Sequence, residues 1–459
     1  MTVFIIVFLT ALASLFAGTF GSGKWSRYFG IFGLLIALYV SYLPECSFFD
    51  QYKNMFEFGA NAALFTKISI VTTIFIFIIA GFAFSNHRSH QSELYALMLF
   101  SLCGGVILFS YQNLVTLFLG VEILSIPLYV LAGANKTDLR STEASMKYLL
   151  MGAFATGFLL FGVAMVYGTT GSFDLYKIHE FSTSAEGNLM FKLGAIMMLV
   201  ALAFKVSLAP FHMWSPDVYQ GAPSLISVFM MTVVKISAFF GFFRLMTIAF
   251  VGIIPDWIQV IGVLVIITLL LANAMGLAQS NAKRMLAYSS VSHAGYIALI
   301  FFGITNASIY NLAFYLFAYA IATVGMFMSL IWVEKLKRET SFMAFKGLSK
   351  NEPLISVVAA ISLMSMAGVP LTAGFIGKFG IFSQAIVTNP MIVIIAILGS
   401  AISIAYYLRP IIAMFFYKES SFNTTEKVSF TYNAVAVVLI ATMIGLGVYP
   451  DLFKMIFSL

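Results

Sequence analysis

Four lysines and one glutamate lie within strongly apolar stretches of the chain: Lys147, Lys205, Lys235, Lys378 and Glu122. An ionised side chain at the centre of a bilayer costs at least about 2.5–3.5 kcal/mol, so each should face protein or water and mark a functional position. Amines and carboxylates both take up and release protons, and five of them in one apolar chain suggest a path for protons. Desolvation disfavours the charged ammonium, whereas a nearby carboxylate restores it. A carboxylate that moves would therefore switch a buried lysine between holding and releasing its proton. Glu122 and Lys147 are candidates for that switch. Glu143, four residues before Lys147 on the same helical face, is the competing partner and would make Lys147 half of a structural pair.

Glu122 and Lys205 each precede a proline by five positions, Pro127 and Pro210. Proline leaves the carbonyl four residues back without a helical partner, which predicts an unpaired carbonyl beside each charge. The plainer alternative is a proline kink with a charge nearby. His212 follows Lys205 by seven residues, two helical turns, and His293 stands among Ser289, Ser290 and Ser292. Both histidines could relay protons near neutral pH, or could simply be hydrogen-bonded packing residues. No helix pairs two metal ligands at i,i+4 spacing, and His87 and His90 read as solvated loop residues.

These groups need an apolar scaffold. Of the 459 residues, 61% are hydrophobic and only 9% charged, against about 25% charged in ordinary soluble domains. Long unbroken apolar runs indicate membrane-spanning helices and argue against a barrel, whose strands alternate with period two. The net charge of +7 is spread over short loops, as membrane orientation demands, and forms no basic arm for nucleic acid. Cys46 and Cys103 make no CxxC pair, which leaves no iron–sulfur or zinc site and suggests free thiols. No glycine-rich phosphate signature is present. The 48 Phe and 21 Tyr read as lipid-facing or core bulk, as do the methionine pairs 197–198 and 230–231. The run 2–18 lacks the positive start of a signal peptide and is expected to be a retained first helix.

Stretches of 17–25 apolar residues place spans near 2–18, 28–43, 63–84, 93–109, 113–133, 143–168, 189–213, 222–248, 256–279, 285–303, 307–333, 353–387, 391–417 and 428–449. With fourteen spans, the odd-numbered loops hold most basic residues: Lys24, Arg27, Arg88, Lys136, Arg140, Lys283, Arg284, Lys335, Lys337, Arg338, Lys346, Lys350, Lys418 and Lys427. The even-numbered loops hold little beyond Lys53 and Lys177. The odd loops are therefore expected in the cytoplasm, and both termini outside. Two segments are irregular. The seventh contains Lys205 and Pro210; the twelfth is too long for one span and contains Gly368, Pro370, Gly374 and Gly377. Discontinuous helices in corresponding positions point to an ion site between repeats. They lie five segments apart, an odd number, so helices 4–8 and 9–13 should be inverted copies. The expected fold is an all-α integral membrane protein of about fourteen transmembrane helices, with helices 7 and 12 discontinuous. Its expected parts are an N-terminal three-helix segment (1–92), the two five-helix repeats (93–248 and 256–417) and a C-terminal helix (418–459).

The stretch LVTLFLGVEILSIPLYVLAG (114–133) resembles the fifth helix of the antiporter-like subunit N family of respiratory complex I. STEASMKYLLMGAFATGFLLFG (141–162) and FKVSLAPFHMWSPDVYQGAP (204–223) extend that resemblance, the last being the most specific. KRMLAYSSVSHAGY (283–296) and AGVPLTAGFIGKF (367–379) complete it, and it runs through helices 4–13. The resemblance implies one proton channel driven by quinone reduction in other subunits of an NADH–quinone oxidoreductase. It further implies that this chain has no redox chemistry and no cofactor of its own. FMN, iron–sulfur clusters and quinone are expected on other subunits, and neither the electron donor nor the quinone is encoded here. It casts Glu122 as the helix-5 glutamate, Lys147 as its partner and Lys205 as the central lysine of broken helix 7. Lys235 becomes the bridge on helix 8, and Lys378 the lysine of broken helix 12 that leads outward. A bacterial inner membrane and contacts with other membrane-arm subunits and lipid follow as expectations. Subunits of Mrp-type or stand-alone cation/proton antiporters are the alternative, but they usually carry a differently worded loop after broken helix 7.

Overall fold

An apolar chain in hydrocarbon must satisfy its backbone N–H and C=O groups within its own segments, and helices do this residue by residue. The computed structural model describes residues 1–20, 24–43, 51–83, 91–184, 188–417 and 428–457. Among these it is all-α, with only isolated bridges between loops. The chain runs through α1 (Thr2–Phe20), α2 (Lys24–Val40), α3 (Ala60–Ala83), α4 (Gln91–Ser110), α5 (Leu114–Ala132), α6 (Leu139–Thr170) and the short α7 (Leu175–Ser184). It continues with α8 (Leu189–Lys205), α9 (Trp214–Gly221) and α10 (Ser224–Phe229). A π-helical turn, Met230–Val234, leads into α11 (Lys235–Ile248). Next come α12 (Ile254–Leu277), α13 (Ala282–Ala298), α14 (Ser308–Lys337), α15 (Leu348–Asn351), α16 (Pro353–Ala367) and α17 (Ala373–Thr388). The last elements are α18 (Pro390–Phe415), α19 (Phe430–Val448) and α20 (Leu452–Phe457). Eleven helical stretches among the described residues are long and apolar enough to cross a membrane. Three shorter apolar helices, Trp25–Val40, Pro353–Ala367 and Ala373–Thr388, accompany them. Cys46 and the histidines 87 and 90 lie outside the described residues; Cys103 is a buried free thiol.

Short polar residues start the helices by taking up N–H groups that the first turn leaves unpaired. The side chain of Asn113 accepts from the Thr116 amide at 2.8 Å, and that of Asn188 from Phe191 at 3.0 Å. Asn281 does the same for Arg284 at 3.1 Å, and Asp138 for Arg140 at 3.0 Å.

The chain forms two compact units. The first comprises Met1–Val71, Ser89–Trp214 and Val233–Leu264; the second comprises Thr72–Arg88, Ser215–Thr232 and Val265–Leu459. In the first, α4 packs on α1, α5 and α11, and α6 packs on α8 and α5. The α6–α8 contact is close because it is made at small residues, as is common between helices in membranes. A methyl group on Gly162 would lie 2.7 Å from the Gly194 carbonyl oxygen. In the second unit, α14 packs on α13, α16, α17 and α19, and α13 packs on α18 as well. Every residue of α13 except Arg284 is buried.

Both irregular segments are broken, and the first break begins earlier than the sequence reading placed it. α8 already ends at Lys205, so Pro210 lies in a non-helical segment, 206–213, and interrupts no helical bond to Val206. The helix resumes as α9, reaching Gly221 rather than stopping near 213. His212 belongs to that non-helical segment, so the argument that two helical turns align it with Lys205 does not hold. In the twelfth segment the break is confined to 368–372, around Pro370; Gly374 and Gly377 are inside α17.

The two breaks share one geometry. At the end of α8 the Leu208 amide donates to Ala203 O at 2.9 Å and Ser207 N to Phe204 O at 3.0 Å, with Ser207 at φ 65°. At the end of α16 the Val369 amide donates to Met364 O and Gly368 N to Ser365 O, both at 3.0 Å, with Gly368 at φ 84°. Each is a Schellman ending, in which a left-handed residue folds the chain back onto the last free carbonyls.

Candidate functional site

Helix α5 carries Glu122, Ser125 and Tyr129 at i, i+3 and i+7, which places them on one face. Lys205, the last residue of α8, reaches that face. Its Nζ donates to Ser125 Oγ at 2.9 Å and lies 3.4 Å from the Tyr129 hydroxyl. Ser125 passes its own hydrogen to Val121 O at 2.6 Å. Glu122 is half-buried and accepts from Thr156 Oγ1 of α6 at 2.7 Å. Glu122, Tyr129 and Thr156 line one open groove between α5 and α6, so Tyr129 stands between the carboxylate's groove and the ammonium. Tyr148 meets Tyr129 edge-on at 4.8 Å and stacks on Trp214 at 4.7 Å, fixing the ring from behind.

The position of Lys205 at a helix end has an electrostatic meaning. The carbonyls of the last turn give a helix C-terminus a partial negative charge, which favours a cation there. Lys378 obtains the same environment across the second break. Its Nζ donates to the carbonyl of Ala367, the final residue of α16, at 3.0 Å and to Ser400 Oγ of α18 at 2.8 Å. Ser400 also donates to Ala367 O at 3.2 Å. The ammonium lies 4.8 Å from the centroid of the Tyr296 ring, a cation–π distance. Lys378 is 5% exposed and Lys235 only 2%. Lys235 follows the π-helical turn directly. An enclosed cavity of ≈ 10 Å³ separates Lys205 from Val234 and Ala238, which flank Lys235 in sequence. That is room for about one water.

Lys147 sits differently. Its ammonium pairs with Glu143 at 2.7 Å, and its side chain is 40% exposed. The competing i,i+4 pair named from the sequence is therefore formed. His212 is buried beside Pro210 in the first break, in the non-helical stretch. His293 is 1% exposed, with Nδ1 2.8 Å from the Tyr315 hydroxyl and Nε2 3.2 Å from that of Tyr407.

Sequence reading missed the hydroxyl partners. Five buried tyrosines, 296, 315, 319, 406 and 407, gather around His293 and Asn273 instead of serving as apolar bulk. The spacing of Ser289, Ser292, His293 and Tyr296 on α13 could have revealed part of this cluster. Further buried cations were also missed, two of them lysines. Lys67 of α3 lies 3.9 Å over the Tyr42 ring and is 7% exposed. Lys283, counted as a loop charge, is buried at the start of α13 and donates to Ala222 O at 2.5 Å, just beyond the end of α9. Among the described residues no group of three potential ligands could hold a metal ion.

Comparison with known proteins places these features in context. Residues 111–403 match the family described as NADH:quinone oxidoreductase/Mrp antiporter. NADH-quinone oxidoreductase subunit N of Cytophaga hutchinsonii is 41% identical over 417 residues, covering 90% of each chain. A chain of respiratory complex I from Thermus thermophilus superposes with a TM-score of 0.79 at 29% identity, covering 98% of both. A chain of the Mrp complex from a Dietzia species superposes with a TM-score of 0.83 over 100% of this chain and 97% of its own, at 19% identity, a likeness of fold alone.

Proposed function

This chain belongs to the NADH:quinone oxidoreductase/Mrp antiporter family, within its NADH-quinone oxidoreductase subunit N branch, and from that premise we propose how it translocates protons. It is a membrane subunit of a complex I type enzyme. Quinone reduction in other subunits drives protons through it from the cytoplasm to the periplasm, and the redox cofactors reside on those subunits. One observation carries the reading: Lys205 closes a half-helix at a break, and Ser125 and Tyr129 couple it to the groove that holds Glu122. Glu122 modulates the charge on Lys205; Lys205 hands its proton on toward Lys235; Lys378 delivers it outward. Lys147, paired with Glu143, sets the field at the mouth of the groove. His293 is a relay group, and His212 supports the broken segment.

The full architecture belongs to this proposal. We take the helices as fourteen spans with 4–8 and 9–13 as inverted repeats, bounded as 1–92, 93–248, 256–417 and 418–459. Backbone pairing supports the repeat. Leu114 N donates to Phe173 O and Leu175 N to Gln112 O around the Asn113–Asp174 bridge. Ala282 N donates to Thr340 O and Phe342 N to Ser280 O around the Asn281–Ser341 bridge in the same pattern. In both cases the asparagine is the helix N-cap. Both termini face the periplasm of a bacterial inner membrane in this arrangement.

The Mrp-type alternative shares the fold, so a TM-score does not separate the two readings. Purification of the tagged chain from native membranes does. Co-purification with flavin- and iron–sulfur-bearing subunits and quinone reductase activity is expected. Recovery with antiporter subunits alone, and sodium-dependent proton exchange, would replace the reading with the alternative.

A further inference from the structure

In the second unit a continuous side-chain chain of hydrogen bonds runs through His293 and through hydroxyl groups that the proposed function does not yet use. Ser289 Oγ and Tyr407 OH are 2.5 Å apart; Tyr407 OH is 3.2 Å from His293 Nε2; His293 Nδ1 is 2.8 Å from Tyr315 OH. The chain draws on α13, α18 and α14, and each member is buried. A second set of bonds holds it in place. Asn273 of α12 accepts from Ser292 at 3.0 Å and from Tyr406 at 3.1 Å, and donates to Tyr296 OH at 3.3 Å. A methyl group on Gly399 would come within 2.8 Å of Asn273 Nδ2, so α18 is held tightly against this set.

The chain also has a direction. Ser289 stands seven residues into α13 from Ala282, about 10 Å from that end at 1.5 Å per residue. Tyr407 stands eight residues from Phe415 at the end of α18, about 12 Å in. Tyr315 stands seven residues into α14 from Ser308, about 10 Å from its start. Consecutive spans alternate in direction, so the Ala282 and Phe415 ends lie at one membrane face and the Ser308 end at the other. The bonds therefore lead from one half of the bilayer to the other.

Chemistry permits conduction along them. A neutral imidazole has one N–H donor and one acceptor nitrogen, so of the two phenols on His293 one must donate and the other accept. A proton taken up from water at Ser289 and passed through Tyr407 onto His293 Nε2 releases the proton on Nδ1 to Tyr315, whose own hydroxyl proton leaves to water on the Ser308 side. The imidazole is left as its other tautomer, and no tyrosinate forms because each phenol gives up one proton as it takes another. Rotation of the hydroxyls resets the chain. We propose that Tyr407 and Tyr315 are proton-relay residues and that Ser289–Tyr407–His293–Tyr315 is a proton wire across the middle of the membrane in the second unit. The inference rests on the reading of this chain as a proton translocator and adds to it the groups that carry the proton.

The test uses Tyr407→Phe and Tyr315→Phe in the assembled complex in membrane vesicles, at matched complex content. Phenylalanine keeps the ring and removes only the hydroxyl. Tyr432→Phe is the control, because Tyr432 is equally buried and donates to Met328 O at 2.6 Å, outside the wire. Protons translocated per electron should fall at least about fivefold in both relay variants and stay at the wild-type value in the control, a loss modest for removed proton-transfer groups. Wild-type ratios in either relay variant would overturn the wire, as would an equal loss in Tyr432→Phe. Absence of translocation in the wild-type vesicles would instead remove the functional premise.

Discussion

At the scale of single residues, the geometry assigns different work to charges that look alike in sequence. Lys205 touches Ser125 and approaches Tyr129, whereas Lys147 is tied to Glu143. Lys205→Arg keeps a permanent charge that cannot cycle through a neutral form. Lys205→Met fills similar space and carries no proton. Both should lower proton translocation by at least about tenfold, below the roughly 10²–10⁴-fold that positioned proton-transfer groups contribute. Quinone reduction should also slow, but by less, so proton uptake per electron in vesicles falls and measures the effect. Full pumping in Lys205→Arg would leave Lys205 out of the path. Glu122→Gln keeps the Thr156 hydrogen bond available but cannot ionise, so translocation should drop while complex content, read by immunoblot, stays near wild type. A mutant that pumps at the wild-type proton-to-electron ratio would make Glu122 a structural residue.

At the scale of elements, the two broken helices depend on close backbone approach. Gly368 takes a left-handed conformation, and an added methyl group there would lie 3.0 Å from Lys378 Cδ. Gly374 is tighter: its methyl group would lie 1.8 Å from Ser365 O, so α17 could not stay seated beside α16. Gly374→Ala should therefore destabilise by about 1–3 kcal/mol or more, the range for forced overpacking. Gly157→Ala, on α6 with nothing within 4 Å, should be neutral or slightly stabilising. Thermal inactivation of the detergent-solubilised complex compares the two; equal half-lives would mean that the break has slack.

At the scale of the whole molecule, the proposed orientation rests on loop charge. Lys335 and Lys337 in the last turn of α14, with Arg338, Lys346 and Lys350 beyond it, cluster before α16. A C-terminal alkaline phosphatase fusion should be active and a fusion after Lys346 inactive. The reverse pattern would remove the fourteen-span topology and the inverted repeat with it. Lys283 does not weaken the charge argument by being buried. Its neighbour Arg284 still pairs with Asp217 at 3.0 Å near the same helix start.

Hydrophobic run length and loop charge were enough to read the class of this protein, the extent of most helices and the two interrupted segments. Those properties follow from transfer of each residue between water and hydrocarbon, which depends on the local stretch alone. The caps at Asn113, Asn188 and Asn281 are local in the same way. The break in the seventh segment was placed too late because a proline marks where a helix cannot continue, not where the chain turns away. The turn is set by Ser207 in a left-handed conformation that no sequence rule assigns to serine. Partner choice lay beyond reach for a related reason. Whether Lys147 meets Glu143 or Glu122, and whether Tyr315 and Tyr407 are bulk or hydroxyl partners of His293, depends on which helices become neighbours. Tertiary packing decides that by bringing α13, α14 and α18 together across more than a hundred residues of chain, a distance over which spacing in sequence carries no information about contact.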